Sequence, residues 1–292
     1  SASITAFDRA LNLNPRNFDA LAALVATDLA VSNYPGAVER LIQQATLVPN
    51  AAPPYLLLGR VRLMQSDLIN AEAAFRKAIE SEPDSMHAYR MVSQICVTTG
   101  RIKEAVQTVE DALARKPEDV ATLMYAGTLY QSRANDFNKA RLAYEKLLSL
   151  QPESPYVLNN LANLCAEHLQ DLPTAYDHAY AAFKLAPESP EVLDTLGWIT
   201  LQRGDFKRAL TLLTKSAELM PKHPEIICHL GFAQCNVAQE AAGCATLRQA
   251  LAAGTNFPVA AQAKLMIEVV ALDPEHADSG DLELLERALA SQ

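Results

Sequence analysis

Read as apolar and polar positions, the chain repeats itself. An amphipathic stretch of about a dozen residues, apolar on one helix face, is followed by a short polar turn and a second such stretch. The second stretch of each unit runs into a proline, at Pro15, Pro49, Pro83, Pro117, Pro152, Pro187 and Pro221, with spacings of 34, 34, 34, 35, 35 and 34 residues. Twelve residues before each later proline stands Ala37, Ala71, Ala105, Ala140, Ala175 or Ala209. With the proline at position 32, position 8 reads Val25, Gly59, Ser93, Gly127, Ala162, Gly197 and Gly231, and position 7 reads Leu24, Leu58, Val92, Ala126, Leu161, Leu196 and Leu230.

These columns predict two helices packed antiparallel in every unit. Small residues at positions 8 and 20 let the axes approach, and larger apolar groups at positions 4, 7, 11 and 24 fill the remaining space. Proline at position 32 cannot continue a helix, so it ends the second one and sets the angle to the next unit. Asp and Asn near the boundaries suit helix caps, as in Pro83-Asp84-Ser85 and Pro152-Glu153-Ser154. Pro155, Pro190, Pro224 and Pro258 fall at position 1, where a first-turn proline loses no hydrogen bond.

A period of 34 with these columns resembles the tetratricopeptide repeat. The clearest unit is 52–85, with Tyr55, Leu58, Gly59, Ala71, Phe75, Ala78 and Pro83 in the signature slots; the usual tryptophan at position 4 is replaced throughout by Leu, Tyr or Ile. The resemblance implies an all-α fold, a right-handed α-solenoid (superhelix) of helix-turn-helix repeats. Seven units are expected at 18–51, 52–85, 86–119, 120–154, 155–189, 190–223 and 224–257, the fourth and fifth with one extra residue in the turn. Residues 1–17 read as the second helix of a truncated upstream unit, so the array is expected to begin further upstream. Residues 258–292 read as C-terminal capping helices, Pro258–Leu272 and Asp281–Ala290, shielding the last apolar face.

Composition narrows the function. Half of the 292 residues are hydrophobic, a core-forming proportion, and 25 Lys+Arg against 34 Asp+Glu leave a formal charge of −9. Nucleic-acid binding draws on phosphate neutralisation, so no nucleic-acid partner is expected. No apolar run reaches the length of a membrane span.

Catalytic chemistry finds no foothold. There is no nucleotide loop, zinc spacing or nucleophile elbow, so no enzyme, cofactor or metal is expected. The six histidines are scattered over different units and phases. Cys96 and Cys165 occupy position 11 as small core fillers, and Cys235 and Cys244 flank the turn of the seventh unit, close enough to meet. A disulfide there is the minority reading.

In tetratricopeptide proteins the first helix of each unit lines a concave surface through positions 2, 5, 6, 9, 12 and 13. Carried onto this chain, those positions give a peptide-binding set of Arg60, Arg90, Gln94, Tyr125, Tyr156, Asn159, Asn160, Asn163, Trp198 and His229, with Asp194, Thr195 and Phe232 beside them. Amides bond a peptide backbone without reading its sequence, and exposed aromatics anchor side chains. No three-unit window matches the chaperone-binding carboxylate clamp. The double variant Asn160→Ala/Trp198→Ala is expected to weaken partner capture with helicity and melting unchanged.

Residues 157–231 carry a narrower likeness. Leu158-Asn159-Asn160-Leu161-Ala162-Asn163, Asp194-Thr195-Leu196-Gly197-Trp198 and Pro224-Glu225-Ile226-Ile227-Cys228-His229-Leu230-Gly231 are similar to phrases in exported bacterial tetratricopeptide proteins, among them lipoproteins of PEP-CTERM/exosortase and exopolysaccharide systems. That resemblance implies a periplasmic or envelope-anchored scaffold that binds a peptide or helix of a partner protein. Five cysteines lean the other way, toward a cytoplasmic location. The alternatives are a structural spacer or self-associating homo-oligomer, and the substrate-selecting repeats of a larger enzyme.

Overall fold

The computed structural model describes residues 2–271. The α-solenoid expected from the period is what forms: among the described residues there are sixteen α-helices and no strand. They are α1 (Ala2–Leu13), α2 (Phe18–Ala30), α3 (Tyr34–Leu47), α4 (Ala52–Met64), α5 (Leu68–Ser81), α6 (Met86–Thr98), α7 (Ile102–Arg115) and α8 (Val120–Leu129). A π-helical turn, Tyr130–Ala134, then leads to α9 (Phe137–Leu150), α10 (Pro155–Glu167), α11 (Leu172–Leu185) and α12 (Pro190–Gln202). The remainder are α13 (Phe206–Leu219), α14 (Pro224–Asn236), α15 (Glu240–Ala253) and α16 (Ala260–Val270). The last begins two residues later than the sequence predicts, because Pro258 and Val259 form a turn. The expected helix Asp281–Ala290 lies outside the described residues.

Helix starts follow local chemistry. Asn17, Asn33, Asp67, Asp119, Asp171 and Asp205 each accept a hydrogen bond from the amide three residues on. Ser154 caps α10 in the same way, whereas Ser85 makes no side-chain cap at α6. Pro155, Pro190 and Pro224 open their helices.

Helix ends share one device. The turn within each pair holds a residue in the left-handed region: Ser32, Ser66, Gly100, Asn135, Gln170, Gly204 and Ala238. In five turns the closing amide reaches back five residues, as in Asp67 N–H to the Arg62 carbonyl; in the fourth and fifth it reaches back six, Asp136 to Tyr130 and Asp171 to Cys165. The extra residue is thus absorbed as a wider ring, and in the fourth unit as a π turn, leaving both flanking helices in register. Ala238 holds φ +60° without glycine's freedom. A left-handed alanine costs about 1–2 kcal/mol, and glycine returns part of that as chain entropy. Ala238→Gly is expected to stabilise α14–α15 by about 0.5–1 kcal/mol, read as a raised denaturant midpoint.

The chain divides into two compact units, Ser1–Leu150 and Gln151–Gln292. In the first, Leu21, Leu24, Ala37, Leu41 and Val61 form one core cluster. In the second, Leu201, Leu213, Ile227, Phe232 and Leu247 join across α12–α15. Each first helix packs on the second helix of its pair. Within the second unit α10 also touches α12, α12 touches α14 and α14 touches α16, with no comparable contact between successive second helices. First helices that lie closer together than second helices put the first helices on the inner side of that unit's curvature.

Candidate functional site

The inner helices of the second unit meet in a connected group of polar and aromatic side chains. Asp194 on α12 places both carboxylate oxygens on His229 Nδ1 of α14, at 2.9 and 3.0 Å. The His229 imidazole stacks on the Trp198 indole with ring centres 4.2 Å apart and planes 16° apart, and Phe232 tilts against the same indole at 5.7 Å. Trp198 Nε1–H donates to Glu167 Oε1 of α10 at 2.9 Å. Three consecutive inner helices are tied together through this chain of contacts.

Burial pushes the His229 imidazole toward neutrality. The Asp194 charge and its hydrogen bond, with Glu225 and Glu167 behind them, pull harder the other way, so its pKa lies above the ordinary 6.5. Stacking the imidazolium on indole adds an attraction between cation and ring.

Three of the residues expected on an open groove are therefore elsewhere. His229 is only 6% exposed, with Thr195 and Phe232 similarly buried. Trp198 lies against the His229 and Phe232 rings of α14 and helps cover them. Trp198 is half-buried and packed against the α12–α15 core. Its truncation removes packing, so Trp198→Ala is not the structure-neutral change that the sequence alone predicts. On α10, Tyr156 stays exposed and Asn159, Asn160 and Asn163 are half-buried. Asn159 Oδ1 is shielded from solvent without a hydrogen-bond partner.

In the first unit Arg60 and Gln94 are exposed. Arg90 is engaged by Asp119 at 3.0 Å and by Thr122 Oγ1 at 2.9 Å. Ser93 spends its one proton on the Ala105 carbonyl, so the Tyr125 hydroxyl, 3.1 Å away, is the donor between them. Burial, then the charges of Arg90 and Arg60, depress the His87 pKa.

Two other clusters have plain readings. Ligand atoms of Glu72, Cys96 and Glu104 come within 4.8 Å of one another, but Arg76 and Arg101 bind both carboxylates and burial pushes the Cys96 thiol up. This is an ion-pair network. Cys235 and Cys244 do meet, as thiols sharing a hydrogen bond, and burial raises Cys235 to about 11.

Glu167 was absent from the expected set. Its partnership with Trp198 spans 31 residues and that of Asp194 with His229 spans 35, each close to one repeat length. A complementary pair one period apart is a signal that finds Asp194 with His229, whereas Glu167 with Trp198 falls about one helical turn short of the period and escapes it.

Comparison with known proteins sets this geometry in context. Two tetratricopeptide-repeat family models match residues 62–125 and 128–190. A TPR repeat-containing protein of Pseudomonas aeruginosa, PA4667, is 27% identical over 163 residues, 55% of this chain and 27% of that protein. Cellulose synthase operon protein C of Pseudomonas fluorescens is 22% identical over 285 residues, 94% of this chain and 20% of its own length. The chain thus spans only 27% and 20% of the lengths of these relatives. A solved tetratricopeptide repeat protein of Parabacteroides merdae, 15% identical, superposes with a TM-score of 0.61 over 87% of this chain and 99% of that one, a likeness of fold.

Proposed function

Because the chain is a tetratricopeptide-repeat protein, we propose that it is a non-catalytic scaffold that holds a segment of a partner protein against its inner helices. The supporting observation is the α10 face, where Tyr156 is 55% exposed beside half-buried Asn159, Asn160 and Asn163. Amide side chains donate and accept at once, so a row of them can follow an extended backbone, while an exposed ring supplies an apolar anchor. Arg60, Arg90, Gln94 and Tyr125 make the corresponding contacts in the first unit. Trp198 closes the α10 face, and His229 acts from behind it as a support.

We place this scaffold in the bacterial envelope, in assembly of an extracellular polymer. The Asn-rich and Asp-Thr-Leu-Gly-Trp phrases of the second unit support that setting, as does the name of the Pseudomonas fluorescens relative. No described helix is long and apolar enough to cross a membrane.

A photoreactive residue at position 160 is expected to cross-link one discrete partner in extract of the native organism. The same residue at exposed Thr211, on the outer helix α13, is expected to cross-link none. Equal labelling from both positions, or labelling only from 211, rejects the inner-face reading.

A further inference from the structure

Charge is sorted between the two layers of the second unit. The inner helices α10, α12 and α14 contain Glu167, Glu191, Asp194 and Glu225 and not one lysine or arginine. The outer helices α11, α13 and α15 carry Lys184, Lys207, Arg208, Lys215 and Arg248 against Asp177, Glu218 and Glu240.

Helix stability accounts for part of the inner set. Glu191 and Glu225 sit in first turns, where a carboxylate meets the positive end of the helix dipole. Glu167 is the reverse case. It is exposed at the C-terminal end of α10, where an anion is locally unfavourable, and it is held there by the Trp198 indole N–H. Asp194 is drawn to His229, and Glu225 and Glu167 lie close enough to act on the same imidazole. One carboxylate thus binds this basic group and two more, from α10 and from its own α14, act on it by charge, leaving net negative charge beside a half-buried indole.

We propose that this face receives a cationic segment, a partner stretch presenting arginine or lysine side chains. The inference rests on the scaffold reading above and specifies its ligand. A guanidinium or ammonium has the charge that the nearby carboxylates lack, donors for the exposed Glu167, and a favourable approach to the exposed part of the Trp198 ring. Asn160 and Asn163 are left to hold the backbone of the segment. An acidic or neutral segment meets repulsion or leaves the Glu167 charge unmet.

Trp198 is the only tryptophan in the chain, so its emission reports occupancy of this site. The test titrates the whole chain with three capped peptides that differ only in carrying arginine, glutamine or glutamate at the same positions. The arginine peptide is expected to shift Trp198 emission, to bind about tenfold tighter than the glutamine peptide, and to weaken as salt rises. The glutamate peptide is expected to bind least.

Glu167→Gln/Glu225→Gln keeps an acceptor for the indole and removes two charges. It is expected to weaken the arginine peptide about tenfold and leave the glutamine peptide unchanged. If that double variant melts early, Glu225→Gln alone is expected to lose about threefold.

Equal binding of the arginine and glutamine peptides, or an arginine-peptide affinity indifferent to these substitutions, overturns the cationic ligand. So does failure of the arginine peptide to bind while cross-linking at position 160 persists. Silence of both the peptides and the cross-link removes the scaffold reading itself.

Discussion

Phe75→Ala is expected to destabilise the first unit by about 3–5 kcal/mol, the cost of emptying a fully buried aromatic site, and to lower its melting midpoint by roughly 6–20 °C. Phe75 is 0% exposed and presses on the face of α4 at Gly59, where an added Cβ would lie 2.6 Å from two ring atoms. The companion substitution is more diagnostic. Gly59→Ala gains about 1 kcal/mol in helix propensity but forces an overlap costing about 1–3 kcal/mol, so it destabilises the native chain. In the Phe75→Ala background the overlap is gone and the methyl fills space, so the same change is expected to stabilise by about 1 kcal/mol. A double-mutant cycle by denaturant unfolding reads the reversal directly. Additive effects at the two positions would show that close approach of the helices is not what glycine provides there.

The second large effect is a change in the sign of a pH dependence. With Asp194 in place, the folded-state pKa of His229 stands above the ordinary 6.5. Its contribution to stability is fully present below pH 6.5 and is lost as pH rises through the higher folded value. Asp194→Asn removes the strongest opposing charge and leaves burial dominant, so the folded value drops below 6.5. The contribution is then present above pH 6.5 and lost as pH falls through the lowered value. At about pH 5.5 the variant should lose about 3 kcal/mol, because a buried cation has lost its partner. The loss should shrink as pH rises through the folded value of His229, above which the imidazole is neutral in both proteins. Denaturant midpoints followed by Trp198 emission measure this, since the indole stacks on the titrating ring. Parallel pH profiles for the two proteins would remove His229 as the source.

How much of this was legible in advance differs from residue to residue. Proline at position 32 and the alanines of position 20 announce the helix pairs, because a backbone without a donor and an axis approach without bulk are strict local requirements. The extra residue in the fourth and fifth units was legible as an insertion, while its absorption into a turn closed from six residues back was not. Reading the inner face by position found Asn160, Asn163 and Tyr156 in half-buried or exposed places, yet it put His229 and Phe232 in the open. Position along a helix specifies a direction, and whether that direction opens to solvent depends on the side chain of the next repeat. Trp198 is large enough to close it.

The sequence by itself determined the helices, their pairing and their period, because each follows from the periodicity of apolar groups and from residues that start or stop a helix within a few positions. Only the tertiary structure decided that Glu167, Trp198, His229 and Asp194 form one chain of contacts, with Asp194 turning a buried histidine into a favoured cation. Electrostatic and stacking energies depend on distance and burial, and residues one repeat apart acquire both only when the inner helices close on one another.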